Sequence, residues 1–164
     1  MKIFFTLVLL FVALAANAAP TNAPARIELH DQYNALQTLV FPATNLTVVT
    51  IADKKGSEQI AGWVAPVKKR FGPRVDIRGI ADVSAVPWAL RSLVRREFRK
   101  SQTYPVMLDW TGDVVNAITY EPDKATVLLL DSRGQILKRL SGAADATGIE
   151  NLCAAIDAAL SAQE

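Results

Sequence analysis

Ala125-Thr126-Val127-Leu128-Leu129-Leu130-Asp131-Ser132-Arg133-Gly134-Gln135-Ile136-Leu137-Lys138-Arg139-Leu140 is the stretch on which the fold turns. Its first six residues are the most strand-like run in the chain. Asp131-Ser132-Arg133-Gly134 then supplies turn chemistry, and residues 135–140 return as a second strand, so the segment predicts a hairpin. Beyond it, Ile149, Leu152, Cys153, Ile156 and Leu160 fall at the spacing of one helix face, which predicts a closing helix over residues 147–161. The chain therefore ends strand, strand, helix.

Upstream the pattern alternates. Tyr104-Pro105-Val106-Met107-Leu108-Asp109 reads as a short strand, and residues 112–120 as a brief helix led by Gly112. Pro87 suits a first helical turn, and residues 88–100 carry Leu90, Leu93, Val94 and Phe98 at helical spacing. Residues 74–80 form a strand candidate, residues 58–71 a helix that Pro66 should kink, and residues 46–52 a β-branched, largely apolar strand. Before these, residues 26–30 and 36–40 alternate apolar and polar around Asp31-Gln32-Tyr33-Asn34-Ala35, a second hairpin signal. Strand, helix, strand, helix in succession implies right-handed crossovers and parallel pairs, hence an α/β domain with a central mixed sheet flanked by helices and an N-terminal β-hairpin.

Residues 1–18 have a different character. Lys2, an apolar run over residues 3–14 broken only by Thr6, and Ala16-Asn17-Ala18 before Ala19 make the three-part pattern of a secretory signal peptide, cleaved after Ala18. The run is too short for a membrane span, and no Cys near the cleavage point offers a lipid anchor. Residues 19–25, with Pro20 and Pro24, read as a flexible leader, and residues 26–164 as one domain. The expected location is periplasmic or secreted.

Composition excludes much chemistry. The 164 residues hold one Cys and one His, so no intramolecular disulfide, Cys-x-x-Cys pair or Cys/His-rich metal centre can form. With 18 Lys and Arg against 16 Asp and Glu, there is no overall field to attract nucleic acid. No glycine-rich phosphate loop is present, and no metal or cofactor is expected. His30 beside Asp31 lacks an activated Ser or Cys and reads as a hairpin surface residue. Asp131-Ser132-Arg133-Gly134 lacks the later acidic ligands of a calcium loop, and Asn45-Leu46-Thr47 matches a glycosylation acceptor directly against a strand. Cys153 reads as a small core hydrophobe.

The order of elements resembles the thioredoxin-like superfamily in its redoxin form, the form of peroxiredoxins (AhpC/TSA) and of TlpA-type thiol-disulfide proteins. Four stretches carry the likeness: Leu29-His30-Asp31-Gln32 for the opening hairpin, Ala65-Pro66 for the kinked first helix, Tyr104 to Asp109 with Gly112-Asp113-Val114-Val115, and the hairpin quoted above. The last third is also similar to YtfJ-like periplasmic proteins, which lack the cysteine pair as well.

The resemblance implies a thiol pair at the start of the first long helix. Counted forward from Ala52 it would fall on Lys55 and Glu58, and counted back from Pro66 on Glu58 and Ala61; neither register holds Cys. The family's cis-proline position matches Ala125, where a trans peptide is expected. The scaffold is thus read as a non-catalytic binding or accessory protein of the bacterial periplasm, its partner an envelope protein or peptide. The candidate contact surface is Asp53, Lys54, Lys55, Ser57, Glu58 and Gln59 with Lys124, Ala125 and Thr126. Two alternatives stand beside it: a divergent thiol-disulfide or peroxide oxidoreductase using Cys153, or an assembly factor in an envelope complex. Arg91, Arg95, Arg96, Arg99 and Lys100 form a basic stripe, read either as a solvated helix face or as an anion-binding surface.

Overall fold

A computed structural model describes residues 21–162. The expected signal peptide, residues 1–18, lies outside the described residues. The chain runs β1 (Arg26–His30), β2 (Leu36–Val40), β3 (Leu46–Ala52), α1 (Ile60–Phe71), β4 (Val75–Asp82), α2 (Arg91–Ser101), β5 (Val106–Asp109), α3 (Asp113–Ile118), β6 (Thr126–Leu130), β7 (Ile136–Ser141) and α4 (Ala146–Ser161). Short 3-10 turns at Gly56–Gln59 and Trp88–Leu90 lead into α1 and α2.

The five-stranded sheet has the order β5-β4-β3-β6-β7, and β1 and β2 form a separate antiparallel pair. β3–β4 and β4–β5 are parallel, whereas β3–β6 and β6–β7 are antiparallel, so the sheet is mixed as the sequence predicts. Two crossovers of one hand that step in the same direction leave both helices on one face. Accordingly α1 and α4 pack over Leu46, Val48, Val127 and Leu129, and α2 lies on the same face over Ala81, Val106 and Leu108. The opposite face buries Val49, Ile51, Ile80, Met107 and Leu128 against the hairpin and α3.

Cys153 is 4% exposed on the inner side of α4, among Trp63, Val67 and Leu152, so it is core. Pro66 lies inside α1, and the helix continues through it to Phe71. β4 extends two residues past the predicted end at Ile80, because Ala81 and Asp82 still pair with Leu108 and Asp109. The described part of the expected leader is fastened down: Ile136 N donates to Thr21 O and Ala23 N to Gly134 O.

Two buried polar side chains fix the flanks. Gln32, in the hairpin turn, donates from Nε2 to Tyr104 O and accepts from Val106 N, each at 2.8 Å, which ties the hairpin to the start of β5. Asp109, at the end of β5, accepts from Gly112 N, Val114 N and Val115 N and so anchors the first turn of α3.

Candidate functional site

The loop after β3 and the loop before β6 form one braced unit. Asp53 begins it: Oδ1 accepts from Gly56 N at 2.8 Å and Oδ2 from Asp123 N at 2.7 Å. Lys55 Nζ reaches Asp123 Oδ2 at 2.8 Å, with both side chains exposed. Gln59 closes the brace, accepting from Ala125 N at 3.0 Å and donating to Asp123 O at 3.3 Å. The contact is close enough to demand glycine at position 56, since a Cβ there would lie 2.6 Å from Lys124 C and O.

The structure therefore brings the two predicted loops together, but not every residue in them faces outward. Ala125 and Thr126 are buried, and the Ala125 N–H is already taken by Gln59, so their side chains belong to the interior rather than to a contact surface. This corrects the expectation for those two positions: β6 is a central strand, and its first residues enter the core at once. Lys54, Lys55, Ser57, Glu58 and Lys124 are exposed, and Asp53 and Gln59 are half-buried. Lys124 pairs with Glu121 at 2.6 Å. The Lys124–Ala125 peptide is trans, as expected at a non-proline residue.

Beside this unit a cleft of about 540 Å³ opens between α1 and α2. Its floor is Thr50, Gly79, Ala81 and Val106, neighbours on three adjacent strands that share one face. Small side chains at Thr50, Gly79 and Ala81 leave the space that α1 and α2 do not fill. Leu93, Val94 and Phe98 of α2 make an apolar wall, Ile60 stands opposite, and Asp53, Lys54 and Asp82 sit at the mouth with Glu97 along one side. The mouth lies at the carboxyl ends of parallel strands β3 and β4, where open α/β sheets bind ligands. Sequence reading missed this cleft; the available signal was Gly79 inside a strand, a position that often marks close approach of a ligand.

Asp82 is held rigidly. Its Oδ1 accepts from Ser84 N and Oγ, and its Oδ2 accepts from Tyr120 Oη at 2.5 Å. Burial alone would raise the Asp82 carboxyl, but the hydrogen bonds from Ser84 and Tyr120 prevail and keep it below the ordinary range. Burial, then the bond to Asp82, pushes the Tyr120 phenol well above its usual value. His30 is exposed at the end of β1, with no hydrogen bond to a serine or cysteine among the described residues. No group of three or more His, Cys, Asp or Glu among the described residues could hold a metal ion.

The basic stripe is only partly a solvated face. Arg91 and Arg95 lie over the Trp110 ring at 5.0 and 5.3 Å, and Arg99 Nη1 donates to Gln32 O at 2.9 Å. Arg96, Arg99 and Lys100 are exposed, Lys100 near Glu97 at 3.9 Å, and only Arg91 and Arg95 are half-buried. The periodicity places Arg91, Arg95 and Arg99 on one ridge, and that ridge turns toward Trp110 and the hairpin because Val94 and Phe98 must face the sheet.

No protein-family model and no curated protein matches the chain. Solved structures do. A putative thiol:disulfide interchange protein DsbE from Chlorobium tepidum superposes with a TM-score of 0.62 at 14% identity, over 87% of this chain and 99% of its own. Peroxidoxin BcpB from Mycobacterium tuberculosis gives 0.60 at 20% identity, over 85% and 97%. An exposed lipoprotein thioredoxin from Streptococcus pneumoniae gives 0.61 at 15% identity, over 78% and 97%. At these identities the likeness is one of fold: the domain is thioredoxin-like, as the sequence resemblance implied.

Proposed function

We propose that this chain is a non-catalytic thioredoxin-fold binding protein of the bacterial envelope, exported by its N-terminal segment, which holds a short peptide segment in the cleft between α1 and α2. The observation that carries this reading is the cleft itself. It opens at the carboxyl ends of β3 and β4 next to a loop with no thiol, while the single Cys153 is buried under α4. A binding site thus persists where a reactive group does not.

The lining favours a ligand of particular chemistry. Leu93, Val94 and Phe98 offer an apolar wall, and Asp53, Asp82 and Glu97 outnumber Lys54 around it. A segment that pairs an apolar side chain with a basic one satisfies both. The exposed loop residues Lys54 and Ser57 would then line the entrance rather than form the whole contact.

The test uses an array of immobilised pentapeptides in apolar-basic, apolar-acidic and polar classes, probed with the wild type and with Gly79→Leu. A Cβ at Gly79 meets Thr50 Oγ1 at 3.6 Å and Val106 methyls at 3.9 and 4.0 Å, ordinary contact, so a larger side chain there projects into the cleft without a backbone clash. Selective capture of the apolar-basic class, lost in Gly79→Leu, is expected. Equal capture by both proteins would count against the cleft. The names of the fold neighbours favour a redox alternative, and it is assayed directly with peroxide and disulfide substrates: activity lost in Cys153→Ser would displace the binding reading.

A further inference from the structure

We propose that Arg91, Arg95 and Trp110 form a binding site for a phosphate-type oxyanion, on the side of α2 away from the cleft. The two guanidinium groups approach the same indole, at 5.0 and 5.3 Å from its centroid, and Arg91 also leans on Trp110 O at 3.5 Å. Like charges four residues apart on a helix repel. Here that repulsion is met by the ring and not by acid: among the described residues none of Arg91, Arg95, Arg96 and Arg99 forms an ion pair. Glu97, the one carboxylate on α2, lies on the cleft side near Lys100.

A second observation points the same way. Arg91 Nε, Arg95 Nε and Trp110 Nε1 are all buried and all without a hydrogen-bond partner. Each is a donor, and none can accept. Two half-buried guanidinium groups on one indole, with no acid beside them and with donors unpaired, are completed by an acceptor that carries negative charge and several oxygens. A phosphate-type group meets that need, because a guanidinium presents paired N–H groups at the spacing of such oxygens. The α2 residues that line the cleft are Leu93, Val94, Glu97, Phe98 and Ser101, so this site and the proposed peptide cleft use different faces of the helix.

The experiment is a titration of the ¹⁵N-labelled protein with inorganic phosphate, following the indole and arginine Nε–H signals. A saturable shift of Trp110 and of Arg91 and Arg95 is expected. Trp63, whose Nε1 donates to Gly142 O in the core, should not move and reports that the fold is intact. Arg91→Gln and Arg95→Gln should each weaken the shift roughly tenfold or more, and Arg95→Lys, which keeps charge but not the fork, should fall between. A parallel arm measures cosedimentation with phosphatidylglycerol vesicles against phosphatidylcholine vesicles. Binding to phosphatidylglycerol alone, lost in both glutamine variants, would assign the oxyanion to a lipid headgroup; response to inorganic phosphate would assign it to a soluble source. Overturning the proposal takes either no response to both probes, or a response that the glutamine variants share.

Discussion

Replacing Gly56 with alanine sets one methyl group against the backbone of the facing loop. The added carbon would lie 2.6 Å from Lys124 C and O and 3.0 Å from Ala125 N. Backbone cannot swing aside as a side chain can, so the loops must part, at an overpacking cost of about 1–3 kcal/mol. Parting also loosens the bonds from Gln59 to Ala125 N and Asp123 O and from Asp53 to Asp123 N, each worth about 1 kcal/mol net. Against this, alanine restricts the unfolded chain and returns about 0.4–1 kcal/mol. The expected net loss is about 2–3 kcal/mol, a fall in Tm of roughly 10 °C for a domain of this size. Urea unfolding followed by circular dichroism, with thermal melts alongside, measures it. Gly79→Ala is the matched control: its Cβ finds only ordinary contacts at 3.6–4.0 Å, so stability should hold or rise by up to about 1 kcal/mol. If Gly56→Ala unfolds within about 0.5 kcal/mol of the wild type, the loops are not braced against each other and the reasoning fails.

Other expectations concern the supports of the site. Gln32→Ala leaves Val106 N–H buried without its partner and removes the part-buried bond to Tyr104 C=O, and should cost roughly 2 kcal/mol, with faster hydrogen exchange at the Val106 amide as its local signature. Asp109→Asn turns an amide NH₂ toward backbone donors that now meet carboxylate oxygens, for a loss of about 2 kcal/mol in the same denaturation assay. Tyr120 governs the alkaline limb. Its folded-state pKa is raised above the unfolded value, so its contribution is complete below about pH 10 and declines as pH rises beyond, where only the unfolded chain ionises. The wild type should therefore lose stability above about pH 10 more steeply than Tyr120→Phe, and parallel pH profiles of the two would refute the pairing with Asp82.

Element order was legible because each segment carries its own period. Both strands of the opening hairpin, residues 26–30 and 36–40, and β3 at 46–52 end where the sequence places them, since alternation or a β-branched run stops there. Cys153 was legible as core from its place on the face shared by Leu152 and Ile156. Less legible was anything that depends on a partner distant in the chain. Arg91, Arg95 and Arg99 announce charge and spacing, but Trp110 and Gln32, which receive them, lie on other elements. The resemblance puts the family's cis-proline position at Ala125 and so points to a contact surface there, whereas the sheet order puts Ala125 and Thr126 at the head of an interior strand. The cleft escaped notice for a similar reason: Thr50, Gly79 and Val106 become a floor only once β3, β4 and β5 are in register.

The loop after β3 holds an anion of its own. In the redoxins that the sequence resembles, an anion at the start of the first long helix is stabilised by free backbone N–H groups and by the helix dipole. Here the same place has an anion of another kind. Asp53 gives one carboxylate oxygen to Gly56 N at the entry to α1 and the other to Asp123 N across the gap, while Ser57 N bonds to the Asp53 carbonyl. At the helix entry Gly56 N is thereby committed to a fixed carboxylate and Ser57 N to a backbone carbonyl, and Gln59 takes the N–H of Ala125. Cysteine placed at Lys55 or Glu58 would therefore meet a helix start at which Gly56 N and Ser57 N are already engaged, which weakens the stabilisation of a thiolate there. Ellman titration of Glu58→Cys against pH puts this to the test: a thiol that ionises near the ordinary value of about 8.5 is expected, and one that ionises below about 7 would show that the helix start still stabilises an anion despite the brace.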